Sequence, residues 1–236
     1  MFKNKTVIIT GASHGIGKAL AIAFAREGAG VYLVARNKKN LQEISQRIKQ
    51  EGNTVLGVFP LDATNYQEVE DVALKIAKVD ILYNGIANYV EKPLNNVSME
   101  QIEETIDFVY KTNVFVTKAF LPKLKRSKGV IINMVSDWGL PSSEEAPALF
   151  GSAKVAVGAF GDFLRREVRV DGIRVLNIYP TDVFSNTDID DKTSQKGKIR
   201  LSDLIEAMLL LFTKEHQKTE HLVISCRGEL LKVSYN

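Results

Sequence analysis

Apolar residues along this chain switch repeatedly between two spacings. Positions 6–9 form a short continuous apolar run, the mark of a buried strand. Ile16, Ala19, Leu20, Ala23 and Phe24 then follow at the spacing of an amphipathic helix. Gly28 and Gly30 stop that helix, and 31–35 reads as a second strand. Leu41, Ile44 and Ile48 mark a helix ending at Gly52, a common residue just past a helix C-terminus. A third strand is expected over 54–59, ending at Pro60 and Asp62. A helix through Val69, Val72, Ala73 and Ile76 and a fourth strand over 80–84 come next.

Past a loop through Asn95 and Asn96, Ser98 with Gln101 three residues on reads as a capping box. The helix it opens carries Ile102, Ile106 and Val109 and is expected to run on towards Leu124. Positions 129–135 are a strongly apolar fifth strand. Pro147 is placed to open a helix in which Val155, Ala159 and Phe163 recur every fourth residue. A sixth strand over 173–178 is stopped by Pro180. Positions 181–200 are polar and aperiodic and read as a flexible loop, its acids Asp188, Asp190 and Asp191 being most simply a solvated stretch. A helix over 204–212 and a strand over 221–225 complete the pattern.

Strands that alternate with helices of ten or more residues imply right-handed βαβ units. Strands so continuously apolar are covered on both faces. The expected fold is therefore α/β: one domain over 1–236, a doubly wound, Rossmann-like parallel sheet with helices on both faces. Its ligand crevice would lie at the carboxyl ends of the strands.

Composition narrows the partners. The net charge is only +3, and the basic clusters Lys123, Lys125, Arg126, Lys128 and Arg165, Arg166, Arg169 lack interleaved aromatics, so solvated helix faces explain them better than nucleic acid. The single cysteine, Cys226, rules out an internal disulfide and favours a reducing compartment. His14, His216 and His221 are scattered and show no metal-ligand spacing. Apolar runs fall far short of the roughly 20 residues a membrane span needs. A strand begins within a few residues of the start, which leaves no room for a signal peptide, and a cytoplasmic location is expected.

The chemistry starts at Thr10-Gly11-Ala12-Ser13-His14-Gly15-Ile16-Gly17, between the first strand and the first helix. Glycines let the backbone turn tightly and approach a ligand, and a helix N-terminus offers unpaired N–H groups to a phosphate. The end of the second strand, Ala35-Arg36-Asn37, carries no acid to accept hydrogen bonds from ribose hydroxyls. Arg36 instead offers a charge-assisted fork to a 2′-phosphate, with His14 as a second donor.

In these motifs and their order, over nearly its whole length, the chain resembles the short-chain dehydrogenases/reductases. That family binds a nicotinamide dinucleotide and oxidises alcohols or reduces carbonyls. The resemblance implies contacts to cofactor from Gly11, Ser13, His14, Gly15, Ile16, Gly17 and Arg36, with NADP(H) favoured over NAD. Asp62 matches the aspartate that contacts the adenine, with a helix-capping role as its competitor. Asn84 is the one residue of the strand-four motif that matches in place, and its role is either to tie strands or to hold cofactor. Pro180 and Val183 match the segment that holds the nicotinamide amide, with Thr181 replacing a glycine and Ser185 standing where a threonine would be, so that a hydroxyl survives.

The family's catalytic set is a serine, a tyrosine and a lysine four residues after it, and an asparagine one helix earlier. Ser136 and Lys154 fit, but the tyrosine position holds Phe150 and the asparagine position Val109. Asn113, one turn beyond Val109, is a partial substitute at best. The resemblance thus implies an NADP(H)-dependent oxidoreductase of an unknown small-molecule carbonyl or alcohol with altered proton delivery. The alternative is a silent member that binds NADP(H) for a structural, sensing or regulatory purpose. A homodimer or homotetramer is the family's default assembly.

Overall fold

A computed structural model of the chain describes residues 1–140, 143, 146–193, 195–227 and 230–235; beyond position 225 only the backbone is described. In chain order the elements are β1 (Thr6–Thr10), α1 (Gly15–Arg26), β2 (Gly30–Ala35), α2 (Lys38–Gln50), β3 (Val55–Pro60) and α3 (Tyr66–Lys75). β4 (Ile81–Asn84), α4 (Met99–Thr105), α5 (Thr112–Ser127), β5 (Val130–Met134), α6 (Ala148–Val168) and β6 (Arg174–Pro180) follow. The chain ends with the short pair β7 (Val183–Phe184) and β8 (Ile199–Arg200), then α7 (Leu201–Leu210), β9 (His221–Arg227) and β10 (Leu230–Tyr235).

The main sheet runs β10-β9-β6-β5-β4-β1-β2-β3 and is parallel except for β10, which pairs antiparallel with β9. Strand order reverses between β1 and β4, and a crevice opens there at the carboxyl ends. Successive side chains of a strand face opposite sides. Val7 and Ile9 accordingly pack with α1, α2 and α7, and Ile8 with α3, α5 and α6. Because both faces are covered, the strand sequences lack polar alternation.

One polar row crosses this apolar sheet. Asn84, Asn133, Asn177 and His221 are register partners on β4, β5, β6 and β9. Asn84 Nδ2 donates to Asn133 Oδ1 at 3.1 Å, and Asn133 Nδ2 to Asn177 Oδ1 at 3.0 Å. Asn177 Nδ2 donates to Asp162 Oδ1 on α6 at 2.9 Å, and His221 Nε2 lies 2.8 Å from that same oxygen.

The sequence expectations need correcting in four places. The helix expected from Ile102 towards Leu124 is broken by a π-helical stretch, Ile106–Lys111. Thr105 and Thr112 hydroxyls and the Asn113 amide all bond to carbonyls four residues back, which competes with the regular ladder and bends helices. Asn95 and Asn96 belong to a 3₁₀ turn, Leu94–Asn96, rather than an open loop. The strand at His221 is not the last, since β10 turns back along it.

The fourth correction matters most to the site. The stretch 181–200 is anchored: β7 pairs with β8, and Asp188 and Asp190 are ion-paired rather than merely solvated. Arg26, at the end of α1, grips Asp190 with two nitrogens at 2.7 and 2.9 Å. Arg47 of α2 donates to Asp188 and Asp190 at 3.0 and 2.8 Å. Hydrogen bonds from Arg47 hold the Asp188 carboxyl well below the usual carboxylate range.

Candidate active site

The glycine turn joins β1 to α1 at the switch point. Gly11 has φ +70°, and a Cβ there would lie 2.7 Å from the Gly85 carbonyl oxygen. A Cβ on Gly17 would lie 2.2 Å from the Gly11 oxygen, so the helix start can pack onto the turn only with glycine in place. His14 occupies the N-cap position without a side-chain capping bond, and the first turn of α1 carries no acid. Backbone N–H groups at this end are therefore left to an anionic ligand.

Two adjoining recesses flank the turn. The smaller, about 190 Å³, is walled by Gly11, Ser13, His14, Arg36, Asn37, Leu61, Asp62 and Phe108. The Arg36 guanidinium lies 4.3 Å above the centre of the Phe108 ring, which steadies the cation at the recess edge. Asp62 accepts hydrogen bonds from the Thr64 amide and hydroxyl at 2.9 and 2.8 Å. It does not cap α3; Asn65 does, accepting from the Gln67 amide.

The larger cleft, about 650 Å³, brings together Gly11, His14, Gly15, Ile16, Gly17, Ser136, Phe150, Lys154, Pro180, Val183 and Ser185. Ser136 follows β5 and caps a short 3₁₀ turn, Asp137–Gly139, accepting from the Trp138 amide at 3.3 Å. Its hydroxyl donates to Asp137 Oδ1 at 3.1 Å. Lys154 is only 5% exposed, and its Nζ donates to the Met134 carbonyl at 2.8 Å. Burial pushes its ammonium down to about 8. Phe150 packs with Val109, Val135, Val157 and Tyr179 and turns its edge to Trp138 and Tyr89.

Asn84 reaches neither recess. It is buried, with its amide donating to Thr117 Oγ1 and Asn133, so it ties strands and α5 together. Asn113 is turned to the Val109 carbonyl at 2.6 Å, the neighbour that the π-helical stretch sets beside it. Tyr83 and Tyr179 are packed in the interior.

Tyr89, which the sequence puts near the active face as a packing residue, lines the cleft, together with Glu91, Asp137, Trp138, Asp182 and Lys198, which carry no sequence signal strong enough to single them out. Tyr89 stacks on Trp138 with ring centres 5.7 Å apart, and its hydroxyl donates to Glu91 at 2.6 Å. Desolvation and this carboxylate raise the phenol's pKa. Adjacency to Ser136 was the one clue to Asp137. Among the described residues, no His, Cys, Asp and Glu group is placed to hold a metal, and no helix is long and apolar enough to cross a membrane.

Comparisons with known proteins agree with this architecture. An uncharacterized oxidoreductase of Staphylococcus epidermidis is 29% identical over 217 residues, covering 90% of this chain and 92% of its own. One of Staphylococcus aureus is also 29% identical over 217 residues, covering 89% and 92%. Among solved structures, an alcohol dehydrogenase from Thermococcus sibiricus complexed with 5-hydroxy-NADP superposes with a TM-score of 0.83 at 28% identity, covering 96% of this chain and 99% of its own. A 7α-hydroxysteroid dehydrogenase complexed with NADH and 7-oxo glycochenodeoxycholic acid shares the fold, with a TM-score of 0.84 at 24% identity and coverage of 96% and 95%. The family model described as short chain dehydrogenase matches residues 5–197, and the chain belongs to that family.

Proposed function

We propose that this protein is an NADP(H)-dependent oxidoreductase of a small carbonyl or alcohol compound, with proton delivery that does not use a tyrosine on α6. The observation that carries the reading is the pair of adjoining recesses that share Gly11 and His14. Around them lie an uncapped helix N-terminus, a cation with no acid at the end of β2, and Ser136 and Lys154 in one cleft wall. These residues fit a phosphorylated dinucleotide. The N-terminus of α1 would take the diphosphate, Arg36 the 2′-phosphate, and the wall at Asp62 the adenine. Lys154 would hold the ribose, and Val183 and Ser185 the amide end. When bound, the cofactor supplies or accepts the hydride.

Phe150 stands at the tyrosine position in this reading, one turn before Lys154. Ser136 then polarises the substrate oxygen, and the aromatic wall of Tyr89, Trp138 and Phe150 excludes water from one side. Assembly into a dimer or tetramer and a cytoplasmic setting belong to the same proposal. Exposed Met99, Ile106 and Phe163 on α4, the π-helical stretch and α6 supply apolar surface for a second copy.

The first test is titration of the protein with NADPH and NADH by nucleotide fluorescence, followed by a panel of ketones, aldehydes and alcohols. Saturable binding with cofactor-dependent turnover supports the proposal. Binding with no turnover across the panel moves it to the silent, cofactor-holding role. Failure to bind either nucleotide overturns it.

A further inference from the structure

We infer that Ser136 and Asp137 form a proton-delivery pair that replaces the missing phenol. The inference rests on the oxidoreductase reading and concerns only how the proton travels. Ser136 Oγ and Asp137 Oδ1 are 3.1 Å apart, and Oδ1 is held in place by the Trp138 amide at 3.0 Å. Both residues line the large cleft together with Lys154 and Phe150. In carbonyl reduction the substrate carbon gains the hydride and its two electrons from the reduced nicotinamide. The Ser136 O–H bond breaks as its proton passes to the substrate oxygen, and protonated Asp137 returns a proton to Oγ. Asp137, left as carboxylate, recharges from solvent. Alcohol oxidation runs the same path backwards.

Burial moves the Asp137 carboxyl towards its neutral form. Burial first, and to a smaller extent the Asp182 carboxylate, raise the Asp137 pKa against the lowering effect of hydrogen bonds from Ser136, the Trp138 amide and its own backbone. Among the described residues, the other ionisable groups of the cleft are His14, Tyr83, Tyr89, Glu91, Lys154 and Lys198, and burial makes Tyr83 a weaker acid. Tyr89 is committed to Glu91 and is a weaker acid for it. Lys154 donates one N–H to the Met134 carbonyl, and in the proposed function its others hold the ribose.

Asp137→Asn keeps the Oδ1 acceptor for Trp138 while removing the exchangeable proton. The test measures kcat for NADPH-driven reduction from about pH 5 to about pH 9 in wild type, D137N and Tyr89→Phe. It also follows the infrared carboxyl band of the cofactor-free proteins over the same range, including Asp182→Asn. Expected are a loss of about 10²-fold in kcat in D137N, within the contribution of a positioned acid, and disappearance of the limb that falls as Asp137 ionises. The Asp137 band should titrate above the usual carboxylate range and move down in D182N. An active wild type with D137N unchanged in rate and profile overturns the pair. So does an Asp137 band in the ordinary range, or a limb that follows Y89F instead. A wild type that binds NADPH and turns over nothing overturns the oxidoreductase reading itself, which separates the two failures.

Discussion

Phe150 and Lys154 lie one helical turn apart on α6, with the lysine Nζ 5.6 Å from the centre of the phenyl ring. The ammonium therefore faces an aromatic surface where a tyrosine at this position would place an acidic hydroxyl. It donates to the carbonyl that ends β5. The consequence is a buried ammonium set against an aromatic ring.

Phe150→Tyr is expected to raise kcat at least tenfold for whichever carbonyl compound the protein reduces. A positioned acid contributes about 10² to 10⁴ in rate, and the neighbouring cation favours the phenolate. Stopped-flow NADPH oxidation measures it. Unaltered turnover in a variant that folds and binds cofactor would count against Phe150 as the tyrosine position.

Lys154 also leaves a mark on stability. Its folded pKa is depressed to about 8 from 10.5, so between those values the unfolded chain binds the extra proton. Stability therefore rises as pH climbs through that window, and below it the burial cost is fully present. The contribution is at most about 3 kcal/mol. Urea unfolding near the two ends of the window, for wild type and Lys154→Met, should show a rise in wild type that the variant lacks. Parallel behaviour would mean that the lysine is hydrated.

Arg36→Ala should weaken NADPH binding by about 10- to 100-fold and leave NADH nearly untouched, since a hydrogen bond to a charged group is worth about 1.5–3 kcal/mol. Fluorescence titration of both nucleotides decides it. Equal losses would show that the arginine shapes the recess through Phe108 and does not read the phosphate.

The segment carrying Asp188 and Asp190 is held from two helices, and freeing it has a local signature. Arg26→Ala with Arg47→Ala should speed amide exchange over 186–191 and raise the substrate KM. Its effect on overall stability should be modest, because half-exposed pairs are worth about 0.2–1 kcal/mol each. Hydrogen exchange by mass spectrometry reports the first effect. Unchanged exchange there would assign the anchoring to the β7–β8 pair alone.

Local patterns announced most of this fold. Apolar runs flanked by glycine and amphipathic spacing are short-range properties, so β1, α1 and the capping box at Ser98 could be read directly. The glycine turn, Ser136 and Lys154 were legible for the same reason, each lying in a contiguous motif. What escaped depends on partners far along the chain. Nothing near Asp190 reveals Arg26, 164 residues away, that neutralises it. Asp137 is an ordinary turn residue until the fold sets Asp182 beside it. The π-helical stretch is set by three side chains bonding backwards, an effect that apolar spacing does not encode.

The row of amides across β4, β5 and β6 has a consequence for alignment. In a sheet buried on both faces, apolar side chains alone penalise a one-residue slip weakly, because either face accepts valine or isoleucine. Here a slip of one strand would carry its asparagine to the opposite face and strand the amides of its neighbours without partners, at about 1–3 kcal/mol for each buried group. Asn133 lies three residues before Ser136, and Asn177 three before Pro180. The row works as a ruler: with the amides matched, the residues beyond them emerge from the sheet at a common height, and the crevice inherits its shape from that match.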